Sequence, residues 1–168
     1  LSEEDGLLLK EWKKTQPDYK NKLLENVQSQ KGIGNVLNFH AELMFENAHE
    51  QEGVVLSKEE SQNFIQSFYQ CLTQIADGKA VRRRVTFKES LDIIGNKNIQ
   101  IDQVYSLLNP YRQHGTNFVF PFIDGESDKK IADDELLDIT HESLIRNWDK
   151  LGEWTKKEFE KVTDIKEL

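Results

Sequence analysis

The sequence contains few residues that could build covalent cross-links or membrane spans. It has one cysteine, Cys71, so no disulfide bond can form within the chain. A lone cysteine is typical of a reducing compartment, and we predict a cytoplasmic protein. No apolar run approaches the roughly 18 residues that a membrane-spanning helix needs, and no signal peptide precedes the first amphipathic pattern. The one methionine, Met44, is internal, so we expect a piece of a longer protein.

Ligand sets for metal chemistry are also missing. Zinc enzymes of the His-Glu-x-x-His type need a second histidine four residues after the first. After His141-Glu142 that position is Ile145. The acidic stretch from Asp124 has carboxylates at calcium-loop spacing, but Lys129 occupies the position that must be glycine for the sharp turn. We predict no metal site and interpret this stretch as a solvated acidic loop.

No motif for hydrolysing a nucleoside triphosphate is present. Gly32-Ile33-Gly34 lacks the lysine and the hydroxyl residue of a P-loop, and it precedes a helical pattern that starts at Asn35. We predict a turn there. No apolar strand ends in a carboxylate placed to hold magnesium. The chain alone is therefore not expected to be an enzyme, and we expect no cofactor for it in isolation.

The charge distribution disfavours nucleic acid as a partner. The formal net charge is -8, and such a surface repels phosphates unless a basic stripe overrides it. The only basic cluster is Arg82-Arg83-Arg84. Neighbouring side chains of an extended chain point to opposite faces, so the three cannot all contact one ligand. Ion pairs are the favoured interpretation, and a phosphate contact by Arg82 or Arg83 stays open.

The hydrophobic spacing predicts a mainly α-helical protein in three parts. Residues 1–57 form a helical segment, residues 58–142 a winged-helix domain with a small β-hairpin, and residues 143–168 a long C-terminal helix. In the first part, short helices are predicted over Leu7–Lys14 and Lys22–Gln28, and a longer one begins at Asn35. Its buried face consists of apolar residues three or four apart: Leu37, Ala41, Met44, Phe45 and Ala48.

The middle part has three predicted helices followed by a hairpin, which is the order of a winged helix. Asp77-Gly78 is expected to end the first helix, and Pro110 is expected to halt the third. The helices are predicted over Phe64–Ile75, over Lys88–Ile94 and from Ile101 to Pro110, and the hairpin strands over Asn117–Phe122 and Leu136–Ile139.

His141 stands where a strand meets a helix. Apolar positions from Leu144 to Val162 predict one long helix, with Thr140 placed to cap its first turn and Gly152 as a point where it bends. The free backbone N–H groups and the dipole at such an end favour an anion, and an imidazole there can donate a further hydrogen bond to a phosphate. A purely structural role for His141 is the alternative.

The strongest resemblance to a known family lies in the run Leu137-Asp-Ile-Thr-His-Glu-Ser-Leu-Ile-Arg-Asn-Trp-Asp-Lys-Leu-Gly-Glu-Trp154. It closely resembles the end of the winged-helix region in bacterial STAND NTPases of the "novel STAND" group, which have a hydrophobic strand, His-Glu-Ser/Ala-Leu-Ile-Arg and two spaced tryptophans. The family's Gly-Gly turn is replaced here by Lys31-Gly32. Further stretches resemble family elements in the same order: the leucines before Trp12, Phe39-His-Ala-Glu42, Val81-Arg-Arg-Arg-Val85 and Asn117-Phe-Val-Phe-Pro121.

The resemblance implies the regulatory portion of a signalling switch. In such proteins a P-loop ATPase domain precedes this region and a sensor or repeat domain often follows, so the parent is expected to bind ADP or ATP with magnesium and to be able to oligomerise. Related NTPases carry Met-His-Asp, whose histidine contacts the β-phosphate of ADP and holds the closed, inactive state. Thr140-His141-Glu142 is similar, which implies that Thr140 and His141 contribute to nucleotide binding. Bacterial signalling or defence is the implied setting.

Two other functions stay open at this point. A winged helix reads DNA through its third helix, but Ile99–Leu108 contains no lysine or arginine, and Asp102 is predicted to face out. A protein-interaction adaptor would instead use the terminal helix, with Trp148 and Trp154 at its surface. Large aromatic residues of small domains more often lie in the core, so we expect both tryptophans to be buried.

Overall fold

The computed structural model describes residues 33–95, 99–123 and 130–167, with side chains described in these ranges except for 33–35 and 161–167. The predicted helices over Leu7–Lys14 and Lys22–Gln28 lie outside the described residues. The fold is mainly α-helical with small antiparallel sheets, as predicted. The helices are α1 Ile33–Glu46, α2 Lys58–Cys71, α3 Phe87–Ile94, α4 Ile101–Arg112, α5 Glu142–Asn147 and α6 Asp149–Glu167. The strands are β1 Thr73–Ala76, β2 Lys79–Arg82, β3 Val85–Thr86, β4 Val119–Phe120 and β5 Leu136–Ile139.

The first described helix buries the face that its spacing predicts. The side chains predicted for that face are buried, and Ala48 lies just beyond α1 in the short 3₁₀ helix Ala48–Glu50. The helix begins at Ile33, two residues before the predicted start at Asn35. The prediction of a turn at Gly34 is therefore wrong, because the residue lies within α1.

The second helix ends earlier than predicted. Ser57 and Glu60 form a capping box that starts α2, which stops at Cys71. The following residues form an antiparallel hairpin of β1 and β2 instead of the predicted helical turns. Asp77 and Gly78 connect the strands with φ of 52° and 76°, and two positive φ values favour the sharp turn that matches strand twist. An Asp-Gly pair is also a hairpin signal, and here it forms the turn between two strands rather than the end of a helix.

A three-stranded antiparallel sheet has the order β3-β5-β4. The strand β5 lies in the centre, paired with β3 through Val85 and Leu137 and with β4 through Val119 and Ile139. These four side chains are buried, so the sheet rests its inner face on the helices. The helices α2 to α4 precede strands β4 and β5 in the predicted order, but the β1–β2 hairpin, which was not predicted, lies between α2 and α3. The strand β4 is shorter than the predicted Asn117–Phe122, because Asn117 has φ of 51° and cannot continue an extended chain.

Pro110 does not halt the third of these helices, contrary to our prediction. It lies inside α4, which continues to Arg112. The continuation is held by tertiary contacts: Tyr111 and Arg112 are buried, and Arg112 Nε donates to the carbonyl of Pro121 over 2.7 Å. Such contacts offset the helical hydrogen bond that proline cannot donate.

The predicted long C-terminal helix is two helices. The chain leaves helical geometry at Trp148, with φ of -89° and ψ of 101°, between α5 and α6. Gly152, expected to bend the helix, lies within α6. Trp148, at the break, is fully buried. Trp154 is buried as well, which confirms the expectation that both tryptophans are core residues.

Buried aromatic rings from several of the described helices form one cluster. Ring centroids lie 5.1 Å apart between Tyr69 and Trp148 and 5.2 Å apart between Trp148 and Trp154, in edge-to-face arrangements that aromatic rings favour. Phe45 of α1, Phe68 of α2 and Tyr111 of α4 also belong to the cluster. Helix α1 contacts α5 and α2, while α6 contacts α2 and β1. The three predicted parts are thus in contact with one another, and their division at residues 57 and 142 stays a prediction.

Candidate functional site

His141 occupies the N-cap position of α5, and only Thr140 separates it from the end of the central strand β5. Because β5 is hydrogen-bonded on both sides, the backbone that carries His141 is held in place. The His141 ring is half-buried and makes no capping hydrogen bond to its own helix. An imidazole at this position lies beside the first N–H groups of a helix, which is a favourable place for an anion.

Thr140 does not cap the helix, and that prediction is wrong. Its hydroxyl donates a short hydrogen bond to the carbonyl of Asn117, and its backbone N–H donates to the carbonyl of Phe118 over 3.1 Å. Both bonds attach the end of β5 to the segment just before β4. Thr140 therefore fixes the position of the residue before His141 rather than the start of α5.

The three arginines alternate in direction, as expected for an extended chain. Arg84 Nε donates to Asp138 Oδ2 over 3.2 Å, and Arg82 Nη1 lies 3.8 Å from the same oxygen. Arg82 Nη1 also donates to the carbonyl of Ile139 over 3.3 Å, which brings the guanidinium to the strand end that leads to His141. Arg82 thus lies beside β5 and makes an ion pair.

Arg83 has different surroundings from its neighbours. Its side chain lines a groove between α2, β1, α3 and α6, together with Cys71 and Glu158. Burial raises the pKa of the Cys71 thiol to about 11, with Arg83 opposing and Glu158 adding to that rise. The thiol is therefore protonated and a weak nucleophile at neutral pH. The structure brings Arg82, but not Arg83, to the end of β5.

A joint between α1 and the break at Trp148 was not predicted from the sequence. The indole N–H of Trp148 donates to Glu42 Oε1 over 2.9 Å, and Lys150 Nζ lies 3.5 Å from Glu42 Oε2. The backbone N–H of Asp149 donates to Asn38 Oδ1 over 3.3 Å. Glu42 and Trp148 both belong to stretches that resemble family elements, and their pairing across the fold gives those stretches a structural role.

We expect Glu42→Ala to lower the free energy of unfolding by about 1 to 3 kcal/mol, because it leaves the buried indole N–H of Trp148 without an acceptor. Glu42→Gln keeps an acceptor oxygen and loses only the partly exposed ion pair with Lys150, so its effect should be about 1 kcal/mol or less. Urea denaturation followed by circular dichroism measures both. Glu46→Ala on the same helix is the control, because Glu46 makes only an exposed ion pair with Lys58. If Glu42→Ala and Glu46→Ala lowered the free energy of unfolding equally, the hydrogen bond between Glu42 and Trp148 would not stabilise the fold.

Other candidate chemistries receive no support from the described residues. Among them, no group of three or more His, Cys, Asp or Glu side chains could hold a metal ion. In the part of the chain that the structure describes, no helix is both long and apolar enough to cross a membrane. Within α4, which is described throughout, the one basic residue is Arg112, and its side chain is buried. That helix therefore offers no cation to a phosphate backbone.

These elements define a mainly helical module in which a central strand presents a histidine at the start of a helix. The chain belongs to the novel STAND NTPase 1 family, whose model matches residues 6–168. Comparisons with curated proteins and with solved structures find no match. The family is one of STAND NTPases, and the sequence itself contains no P-loop motif.

Proposed function

We propose that this chain is the helical lid and winged-helix portion of a STAND-type signalling ATPase, in which His141 senses the phosphates of ADP or ATP. The pocket is completed by a P-loop domain elsewhere in the parent protein, which also binds magnesium. The observation that carries the proposal is the place of His141, on a backbone held by two flanking strands and at the first turn of a helix. Membership of the novel STAND NTPase 1 family supports the same assignment.

The winged-helix part of the proposal is supported by topology. Helix α2, the β1–β2 hairpin, the short strand β3, helices α3 and α4, and strands β4 and β5 follow one another, and β3 and β4 both pair with β5 in the order β3-β5-β4. The central strand β5 ends at Ile139, two residues before His141. A DNA-reading role for the same fold is disfavoured, because α4 has no exposed basic side chain and the net charge is -8.

The switching mechanism follows from differential binding. A nucleotide shifts a two-state equilibrium only by the difference in its binding energy between the two states. His141 donates a hydrogen bond to an ADP phosphate in the closed arrangement and loses it in the open one. Arg82 lies beside the same strand end, where its charge favours an anion, and Thr140 positions the backbone before His141. ADP thus stabilises the closed state, and its release permits signalling.

We expect His141→Ala in the parent protein to speed ADP release by about tenfold to a hundredfold, since a hydrogen bond to a charged group contributes about 1.5 to 3 kcal/mol. Stopped-flow displacement of a fluorescent ADP analogue measures the off-rate. His141→Gln keeps a donor and should recover part of the affinity. His114→Ala is the matched control, because His114 is an exposed histidine beyond the end of α4.

An ADP off-rate that His141→Ala leaves unchanged would remove His141 from the switch. The proposal as a whole would fail if the natural gene encoded no P-loop domain together with this chain. The parent's partners are proposed on the same basis: its own P-loop domain, a sensor or repeat domain, and further copies of the parent on activation. Bacterial signalling or defence in the cytoplasm is the proposed setting.

A further inference from the structure

Arg83 lies in a groove that the proposed switch does not use. The groove has a volume of about 440 Å³ and lies between α2, β1, α3 and α6. The backbone of Arg83 is fixed there, because its N–H donates to the carbonyl of Leu72 over 2.8 Å. This groove, called the Arg83 groove below, is distinct from the end of β5, which Arg82 contacts.

The Arg83 groove has polar and apolar walls and is partly open to solvent. Ile75, Ile94, Ile93 and Phe159 line it. Ile93 is 54% exposed and Phe159 is 50% exposed, although both are large hydrophobic residues. Ile93 and Phe159 thus present apolar surface to the groove, beside its polar side chains.

The hydroxyl groups at the groove already have hydrogen-bond partners. The hydroxyl oxygens of Thr73 and Thr155 lie 2.9 Å apart. Thr73 Oγ1 also lies 3.1 Å from the carbonyl of Tyr69, and Thr155 Oγ1 lies 2.8 Å from the carbonyl of Leu151. These contacts hold β1, α2 and α6 together. The two hydroxyls therefore stabilise the fold and are not expected to bind a ligand.

The guanidinium of Arg83 is a donor without an acceptor among the described residues. The other four arginines all have one: Arg82 and Arg84 at Asp138, Arg112 at Pro121 and Arg146 at Glu142. A guanidinium presents a fork of N–H groups that matches the two oxygens of a carboxylate. Glu158 is the other charged residue of the groove, and it opposes an anion at this place.

We propose that the Arg83 groove binds a small amphipathic carboxylate, with the carboxylate on Arg83 and the apolar body against Ile75, Ile93 and Phe159. Its volume lies within the range of about 300 to 1,000 Å³ that is typical of small-molecule sites. Twelve residues line it, fewer than the roughly 20 to 30 per side of a standard protein interface. The size therefore favours a small ligand over a folded partner.

The test uses the chain with decanoate as the probe and decanol as its uncharged counterpart. Titrations of ¹⁵N-labelled protein are followed by amide NMR shifts, at probe concentrations below micelle formation. We expect saturable binding of decanoate with shifts at β1 and α6, and weaker binding of decanol. Arg83→Ala should weaken decanoate binding about tenfold or more, because a charge-assisted pair is lost.

Arg84→Ala is the matched control, because it removes the neighbouring arginine whose side chain pairs with Asp138. It should change the affinity for decanoate less than twofold. Glu158→Gln should strengthen binding a few-fold by removing repulsion. Circular dichroism of each variant checks that it is folded.

Three results would overturn the proposal: equal binding of decanoate and decanol, equal effects of Arg83→Ala and Arg84→Ala, or no saturable binding of either probe. Self-association of the chain that Arg83→Ala abolishes would also overturn it, by assigning the groove to a second copy. None of these outcomes depends on ADP, so the proposal for the Arg83 groove and the proposal for His141 are tested separately.

Discussion

Replacing Trp148 with alanine is expected to lower the free energy of unfolding by about 3 to 5 kcal/mol, the range for removing a buried large aromatic side chain. Trp148 is fully buried, lies edge-to-face with Tyr69 and Trp154, and donates its indole N–H to Glu42. The substitution leaves a cavity at the break between α5 and α6. Because a small protein is stable by only about 5 to 15 kcal/mol, much of that stability would be lost.

Urea denaturation followed by far-ultraviolet circular dichroism measures the loss, since the signal does not depend on the removed indole. Phe159→Ala is the control: it removes an aromatic ring from α6, but the ring is half exposed. It should change the free energy of unfolding by about 1 kcal/mol or less. If Trp148→Ala were no more destabilising than Phe159→Ala, Trp148 would not be the centre of the core.

Acidification is expected to destabilise the protein through His40. Burial lowers the pKa of His40 from 6.5 to about 3, and its ring lies edge-to-face with Phe118 at 5.6 Å. In the unfolded chain His40 takes up a proton below about pH 6.5, whereas in the folded chain it stays neutral. Its contribution to stability is therefore complete above that pH and decreases as the pH falls towards about 3. Each pH unit in this window removes about 1.4 kcal/mol.

The difference between the wild-type chain and His40→Gln isolates this effect, because carboxylates titrate in both. The free energy of unfolding of the wild type should fall by about 2 to 3 kcal/mol more than that of His40→Gln between pH 6.5 and about 4.5. His114→Gln, which removes an exposed histidine, should follow the wild type. Parallel pH profiles for wild type and His40→Gln would show that His40 does not carry the acid sensitivity.

The hydrophobic spacing predicted the helices that have one buried face. The buried face of α1 and the order of helices α2 to α4 before strands β4 and β5 follow from periodicity, since a helix with an apolar stripe must cover it. The burial of both tryptophans follows instead from the size of their rings. Where the hydrophobic spacing predicted the wrong element, two local signals competed. Phe64 to Ile75 keeps helical spacing throughout, but the Asp77-Gly78 turn pairs its end with β2. Ile75 thus fits either a helix face or a strand face.

In the candidate site, too, local patterns predicted some features, and contacts with distant residues decided others. Its histidine could be singled out because a strand run meets a helix run at His141, and the alternation of the three arginines follows from extended backbone geometry. Arg82 and Arg84 point to the side of the chain where Asp138 lies, and Asp138 is more than fifty positions away in the sequence. The error over Thr140 has the same cause, since its hydroxyl has a distant acceptor, the carbonyl of Asn117.

Residues close together in the chain were enough to predict the mainly helical class, the family and the place of His141 between strand and helix. Contacts in the folded protein were needed to show that α4 passes through Pro110, that the terminal helix breaks at Trp148 and that Glu42 holds that break. Each of these depends on tertiary contacts, which together outweigh local helix propensities of about 1 kcal/mol for most residues and about 3 kcal/mol for proline. Local patterns therefore indicate the elements, and packing sets where they end.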